Sequence, residues 1–352
     1  MTLKRATRKI QLTKRVKLAD VCKAAGVSKA AISYVLNDKP GVSPEMRRKI
    51  KSLMRKMGYL PTPAARHLSL ARSETIAAIF QDLTAGWLLT VFRGIAAQAA
   101  ESKYQLIAAL SSQYGDEFKL PTEVLARASV DGFLWMDPRV RPVLVKRFKK
   151  QPIPFVVIQG HIDDPEINTV SIENSNGAYD AVRHLLQLGY RRLMLMTGQE
   201  DNVDSLDKLA GARRALREFG VTLPKEYILN GHHVASYAVE AMNAFAESGR
   251  PMPEAIFAFN DDMALAVLRW LRDRRLRVPE DVALVGFDGV DEAKGAELTT
   301  VETPIREMGM TAAKLLIETI RTPPEQRKSK HILLDGHLAV RKTCGAHLRQ
   351  PA

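Results

Sequence analysis

"LADVCKAAGVSKAAISYVLNDKPGVSPEMRRKIKSLMRKMGY", residues 18–59, decides the N-terminal part of the fold. Leu18, Val21, Cys22 and Ala25 recur at i, i+3, i+4 and i+7, one apolar stripe of a short helix that Gly26 ends. Ser28 is placed to cap a second helix with the stripe Ile32, Val35 and Leu36, leaving Lys29, Ala30, Ser33 and Tyr34 on other faces. Two short helices joined by an Ala-Gly-Val turn make a helix-turn-helix. A third helix is announced by Ser43 as N-cap, Pro44 at the first helical position and Glu45 in the first turn. Met46, Ile50, Leu53 and Met57 then repeat at helical spacing until Gly58, while the other faces carry Arg47, Arg48, Lys49, Lys51, Arg55 and Lys56.

Charge follows the same boundary. Residues 1–70 hold 17 Lys and Arg against 3 Asp and Glu, and the other 282 residues hold 35 against 36, so the whole excess behind the net charge of +13 lies in the first fifth of the chain. A basic unit joined to a neutral one is the electrostatic footprint of a nucleic-acid-binding head on a body with another task. In a helix-turn-helix the second helix enters the major groove, and its N-terminal residues meet base edges. That points to Lys29, Ala30, Ser33 and Tyr34. Lys29 can donate to guanine O6 and N7, and Ala30 can touch a thymine methyl. Tyr34 either reads a base or packs on the sugar-phosphate backbone.

With 352 residues, 46% of them hydrophobic and 26% charged, the chain is expected to be soluble and to form two or three folded units. No apolar run approaches the roughly 18–20 residues that span a bilayer. The basic start "MTLKRATRKIQLTKR" lacks the apolar region and cleavage site of a secretory signal, which predicts a cytoplasmic protein. Cys22 and Cys344 are far apart and in no CxxC spacing, which argues against a disulfide framework and a zinc site.

The stretch 18–73 resembles the DNA-binding head of the LacI/GalR family of bacterial transcription regulators, through Ala25-Gly26-Val27-Ser28, Val35-Leu36-Asn37, Val42-Ser43, Gly58-Tyr59 and Ala65-Arg66. The resemblance adds Ser28, Asn37, Ala65 and Arg66 to the DNA-binding residues. It departs at Tyr34, where the family often has an arginine, and in the basic residues that precede the usual start. The segment "PAARHLSL", residues 63–70, has Pro63 at a helix start but is too short for a helix stable alone. In the family the matching segment folds on the operator, pairs with its dimer mate in the minor groove and wedges a leucine between central base pairs. By position that leucine is Leu68, with Arg66 beside it, and Leu70 packs against the body. Alternatively, Leu68 contacts the head or the partner chain.

After residue 74, β-rich runs at 75–80, 105–110, 132–136, 155–159, 193–197, 256–260 and 282–288 alternate with helical stretches such as 87–102, 178–188, 206–219 and 263–275. Such alternation predicts parallel sheets, and this many strands predict two of them, split near residues 172–175, with a cleft at their carboxyl ends. There is no GxGxxG after a strand, and no GxxxxGK[ST], HExxH or GxSxG, so binding is expected rather than turnover, with no cofactor, metal or catalytic residue. The body is similar to the family's effector domain, of periplasmic-binding-protein fold, chiefly through "FAFNDDMALAVLRWLRDRRLRVPEDVALVGFDGVD" and "LTTVETP".

By that resemblance Asn260 and Asp288 match effector-contacting positions, and both stand at strand ends. Asn260, Asp261 or Asp262 could instead simply cap the following helix. Asn202, Asp204 and Lys208 occupy the loop and helix start where relatives often place an arginine on the ligand. That arginine is missing at Asn202, which argues against an obligatorily anionic ligand, although Lys208 could partly substitute. Trp87, with Leu88, either stacks on a sugar ring or is core. Asp82, Asp137, Gln159 and His161 also follow strands and are weaker candidates.

The organisation expected is a basic arm over 1–17, an all-α helix-turn-helix domain over 18–61, a hinge helix and linker over 62–74, a two-lobed α/β effector and dimerisation domain over 75–345, and a tail over 346–352. The function expected is a regulator, most often a repressor, bound as a homodimer to a pseudo-palindromic double-stranded DNA operator and answering to a small molecule, preferably a sugar or sugar derivative and in second place a nucleobase. "KTCGAHLRQPA" carries no heptad segment that would make a tetramer. A solute-binding protein has no use for the basic head, and an enzyme would need a nucleophile or a cofactor loop.

Overall fold

A computed structural model of the chain describes residues 16–36, 39–59, 73–80, 86–110, 130–136, 149, 153–160, 162 and 164–348. Asn37, Ala65, Arg66, Leu68, Asp82, Asp137 and His161 lie outside the described residues, as does the segment assigned to the hinge helix. The chain divides into two compact units, Met1–Ser73 and Glu74–Ala352.

In the first unit the three expected helices form as α1 (Leu18–Ala25), α2 (Lys29–Leu36) and α3 (Pro44–Met57). Their ends are set by local chemistry. The Asp20 carboxylate accepts the Lys17 N–H at 2.8 Å, and Gly26, at φ 69°, closes α1. Ser28 Oγ accepts the Ala31 N–H at 3.2 Å, and Ser43 Oγ accepts that of Met46 at 3.3 Å, which starts α2 and α3. Val21, Ala25, Ile32, Val35, Ile50, Met54 and Tyr59 form the buried core. Met54 lies deeper than its expected neighbours Leu53 and Met57, which are only partly buried.

The second unit contains two six-stranded sheets. Lobe 1 holds β1 (Thr75–Phe80), β2 (Gln105–Leu110), β3 (Gly132–Met136), β4 (Phe155–Ile158) and β5 (Asn168–Ile172), with helix α4 (Gly86–Glu101) following β1. Lobe 2 begins with α5 (Asn174–Gln187) and continues through β6 (Leu193–Thr197), α6 (Val203–Glu218), β7 (Ile228–Asn230), α7 (Ala235–Glu247), β8 (Ala255–Ala258), α8 (Asp261–Asp273), β9 (Ala283–Asp288), α9 (Asp291–Gly295) and β10 (Thr299–Glu302). The chain then returns to lobe 1 for α10 (Ile305–Arg321) and β11 (His331–Leu334), and ends in lobe 2 with β12 (His337–Ala339).

The order is β11-β5-β4-β3-β1-β2 in one sheet and β12-β10-β9-β8-β6-β7 in the other, parallel throughout except that β12 runs antiparallel to β10. The expected crossing near residue 173 is present, but a single split is not the whole topology. The chain crosses between lobes twice more, at 303–304 and 335–336. The short strands β5, β7, β10, β11 and β12 are not apparent from sequence pattern.

Both faces of the lobe 1 sheet are covered by apolar residues, one by a cluster that includes Ile76, Ala78, Leu134 and Val156, the other by Ala77, Ile79, Phe133 and Trp135. Period-2 alternation along β1 and β3 supplies the two sets. α4 and α10 cross so closely that a Cβ on Gly94 would lie 2.1 Å from the Arg306 carbonyl oxygen, and one on Gly309 would lie 2.2 Å from that of Val91. Among the described residues no helix is long and apolar enough to cross a membrane.

Candidate functional site

In the head, α2 turns one face to the core and leaves the other accessible. It buries Ile32 and Val35 and leaves Lys29 and Ala30, in its first turn, exposed, Ser33 half-buried and Tyr34 41% exposed. Gly41, at φ 112°, leaves room for the Tyr34 ring, since a Cβ there would lie 3.2 Å from two ring atoms. The Arg47 guanidinium donates to the Lys39 carbonyl oxygen at 2.6 Å, tying the loop before α3 to that helix. These contacts fix the shape of the exposed face without using Lys29.

In the body, the carboxyl ends of both sheets meet at a cavity of about 210 Å³. Lobe 1 contributes an apolar wall of Trp87, Leu88, Met136, Ile172, Ile305 and Met308. Lobe 2 contributes a polar floor that brings together five of the expected residues, Asn202, Asp204, Lys208, Asn260 and Asp288, with the sixth, Trp87, on the opposite wall. Trp87 lines the cavity and also packs against the lobe 1 core.

Each polar residue of the floor has a local reason for its position. Asn202 caps α6 by accepting the Ser205 N–H at 3.2 Å. Asn260 caps α8, its Oδ1 accepting the Met263 N–H at 2.9 Å while its Nδ2 donates to the His233 carbonyl oxygen at 3.1 Å. Lys208 is 5% exposed, and its ammonium donates to the Phe259 carbonyl oxygen at 2.9 Å and lies 3.9 Å from the centre of the Phe287 ring. The ammonium also faces Asp204 and Asp288 electrostatically.

Asp204 joins the lobes. Its carboxylate accepts from Asn174 Nδ2 at 3.0 Å and from the side chain of Gln159, at the end of β4 in lobe 1. Gln159 in turn accepts the Ile172 N–H at 3.1 Å. Burial pushes the Asp204 carboxyl up to about 6, with Lys208 and the two amides pulling the other way. Asp288 is held well above the usual carboxylate range by burial, against the pull of the Lys208 ammonium, with smaller additions from the carboxylates of Asp261, Asp262 and Asp204. Its backbone stands at φ 114°, a conformation unusual for a residue with a side chain.

His233 is one of the cavity residues that the sequence did not announce. It lines the cavity, and its Nε2 lies 2.7 Å from Ser205 Oγ. Burial, followed by the charge of Lys208, lowers its pKa to about 3 and keeps the ring neutral. Asn260 and Asp288 come from the family resemblance, with their places at or just after strands as support; His233 is not among the positions carried over, and β7, only three residues long, gives no strand-end signal for it. Gln159, a weaker candidate, and the unpredicted Asn174 and Thr303 also line the cavity.

Comparison with known proteins agrees with both units. Residues 17–62 match the model described as bacterial regulatory proteins, lacI family, and residues 182–344 match a periplasmic binding protein-like domain. Catabolite control protein A of Priestia megaterium is 32% identical over 305 residues, 86% of this chain and 91% of the relative. The HTH-type transcriptional regulator CelR of Thermobifida fusca is 30% identical over 339 residues, 94% and 98% of the two chains. Among solved structures, a CelR–cellobiose complex is 29% identical with a TM-score of 0.70, covering 94% of this chain and 100% of its own. The lac repressor dimer bound to operator and the anti-inducer ONPF has a TM-score of 0.82 at 23% identity, over 94% and 99%, a likeness of fold. With a basic helix-turn-helix head and a two-lobed, cleft-bearing body matched along nearly its full length, the chain belongs to the lacI family of bacterial transcription regulators.

Proposed function

We propose that the chain is a cytoplasmic, non-enzymatic repressor that binds a pseudo-palindromic operator as a homodimer and is released when a small sugar or sugar derivative enters the cleft. The observation that carries the reading is the contrast of the two cleft walls. One wall is apolar and aromatic, as the face of a pyranose or furanose ring requires, and the other offers Asp288, Asp204 and Lys208 to its hydroxyls. A cavity of about 210 Å³ exceeds the roughly 150 Å³ that accommodates benzene, so it suits a single substituted ring. The cellobiose bound to CelR supports a carbohydrate.

On DNA, Lys29, Ala30, Ser33 and Tyr34 read the major groove from α2, and Ser28 with Asn37 contacts the phosphates flanking them. Ala65, Arg66 and Leu68 act in the minor groove at the centre of the operator. A two-fold axis relating two heads demands two related half-sites. A coupling of roughly 1–3 kcal/mol between the sites is sufficient for regulation.

Selection of the DNA site from random sequence, followed by calorimetric titration of the operator complex with a sugar and purine panel, tests the reading. A palindromic site filled by two chains and weakened by a sugar is expected. In the same assay Leu68→Ala costs specific affinity more than non-specific affinity, and Asp288→Ala abolishes the response to sugar while operator binding persists. A site filled by one chain would overturn the dimer, and a response only to purines would replace the sugar.

A further inference from the structure

Asp261 is the first residue of α8, fully buried, and does not line the cavity. Its Oδ2 accepts the backbone N–H of Gly289 at 2.7 Å and of Val290 at 3.0 Å, and its Oδ1 accepts the Thr300 hydroxyl at 2.6 Å. All three groups are neutral donors. Among the described residues no basic side chain pairs with it. β9 is built around this carboxylate: a Cβ on Gly286 would lie 2.2 Å from Asp261 Oδ1. A buried charge without a cation is costly, so its retention asks for a task that three hydrogen bonds to one turn can perform.

The turn it holds is the one that carries Asp288. Asp288 at φ 114° and Gly289 at φ 80° are successive left-handed residues, and the two N–H groups bonded by Asp261 follow directly. The Asp288 carbonyl oxygen accepts from both the N–H of Thr303, at 3.1 Å, and its hydroxyl, at 3.2 Å. Thr303 lines the cavity and begins the second crossing from lobe 2 to lobe 1. Thr300, the third partner of Asp261, lies three residues earlier on β10.

We infer that Asp261 is a positioning residue for the cleft ligand, holding Asp288 in its left-handed, cavity-facing conformation and clamping the β10 end that leads into the second crossing. The inference rests on the proposal that a ligand engages Asp288. An acceptor-only carboxylate suits three converging donors. In Asp261→Asn the amide oxygen still serves the two backbone N–H groups and the NH₂ donates to the Thr300 hydroxyl, whose proton turns away, so the turn survives. Asp261→Ala removes every bond.

The test is hydrogen exchange of the Gly289 and Val290 amides in the full-length protein, which needs no ligand. Asp261→Ala is expected to speed their exchange about tenfold or more, the loss expected for even one charge-assisted hydrogen bond, while amides of lobe 1 are unchanged and Asp261→Asn restores protection. Should Asp261→Ala not fold, Gly286→Ala displaces the carboxylate without deleting it and gives the same loss. Wild-type protection in either variant overturns the inference, as does a loss spread evenly over both lobes, which would mark a merely structural role. Titration with ribose as the probe separates the two readings. If Asp288→Ala binds the probe as the wild type does, the ligand reading fails; if Asp288→Ala loses it and Asp261→Ala does not, the positioning role fails.

Discussion

Replacing Asp288 by glycine and, separately, by alanine isolates the backbone strain at the cleft. Both substitutions remove the same carboxylate, so its raised pKa and its neighbours cancel in the comparison. What remains is the φ of 114°. A side chain in such a region costs roughly 1–3 kcal/mol, which alanine still bears and glycine does not. Glycine gives back roughly 0.4–1 kcal/mol through the greater freedom of its unfolded chain. At mid-range the glycine variant is therefore expected to be about 1.3 kcal/mol more stable than the alanine variant. For a unit of this size that is about 2–4 °C in Tm. Urea unfolding at pH 7, followed by the fluorescence of Trp87, Trp135 and Trp270 and extrapolated linearly, measures the difference. Equal stability of the two variants, or a more stable alanine, would refute the strain and with it the idea that the turn is held against its own preference.

Two further outcomes follow from the cleft and from lobe 1. His233 has a folded pKa of about 3 against an ordinary 6.5, so the unfolded chain binds the extra proton and stability is lost as pH falls below 6.5. By pH 5 this amounts to about 2 kcal/mol, and it is opposed by Asp204 and Asp261, whose carboxyls at about 6 favour the folded state as pH falls from above 6 towards 3.8. His233→Gln should therefore gain about 2 kcal/mol on the wild type between pH 7 and pH 5 in urea titrations, and parallel profiles would remove the buried neutral imidazole. Gly309→Ala forces a methyl onto the Val91 carbonyl and should cost about 3 kcal/mol in the same assay, whereas a loss under about 1 kcal/mol would contradict the close crossing of α4 and α10.

Sequence pattern and structure agree best where the determinants are local. Ser28, Ser43, Pro44 and Gly58 mark the head helices because a cap is satisfied within three or four residues. Asn260 and Asp288 were legible through the family resemblance, which their places at or just after apolar strands supported, although the sequence could not say that both polar atoms of Asn260 would be engaged by the protein. β10, "TTVE", and β11, "HILL", were not legible. They are four residues long, and β11 takes its place through pairing with Thr169–Ile172, far back in the chain. His233 stayed hidden for a related reason, as its strand is too short to announce where it ends. The inward facing of Asp204 depends on Gln159 and Asn174, partners that only the packing of two lobes brings together.

The return of the chain into lobe 1 has a consequence for how the protein is made. Ile305, Met308, Leu315 and Leu316 of α10 complete an apolar cluster whose other members include Ile76, Val91 and Leu134, and β11 supplies the last strand beside β5. A ribosome that has delivered every earlier strand of lobe 1 has therefore delivered only an open half-core with one bare sheet edge. That surface stays uncovered through the synthesis of the roughly 130 residues between β5 and α10, on the order of ten seconds at typical elongation rates. Lobe 2, later in sequence, is the lobe able to gather most of its core first, lacking only β12 and the segment around Cys344. The nascent N-terminal half is thus the natural client for chaperones, and a message truncated before codon 305 would yield a DNA-binding head tethered to an unfinished, adhesive lobe.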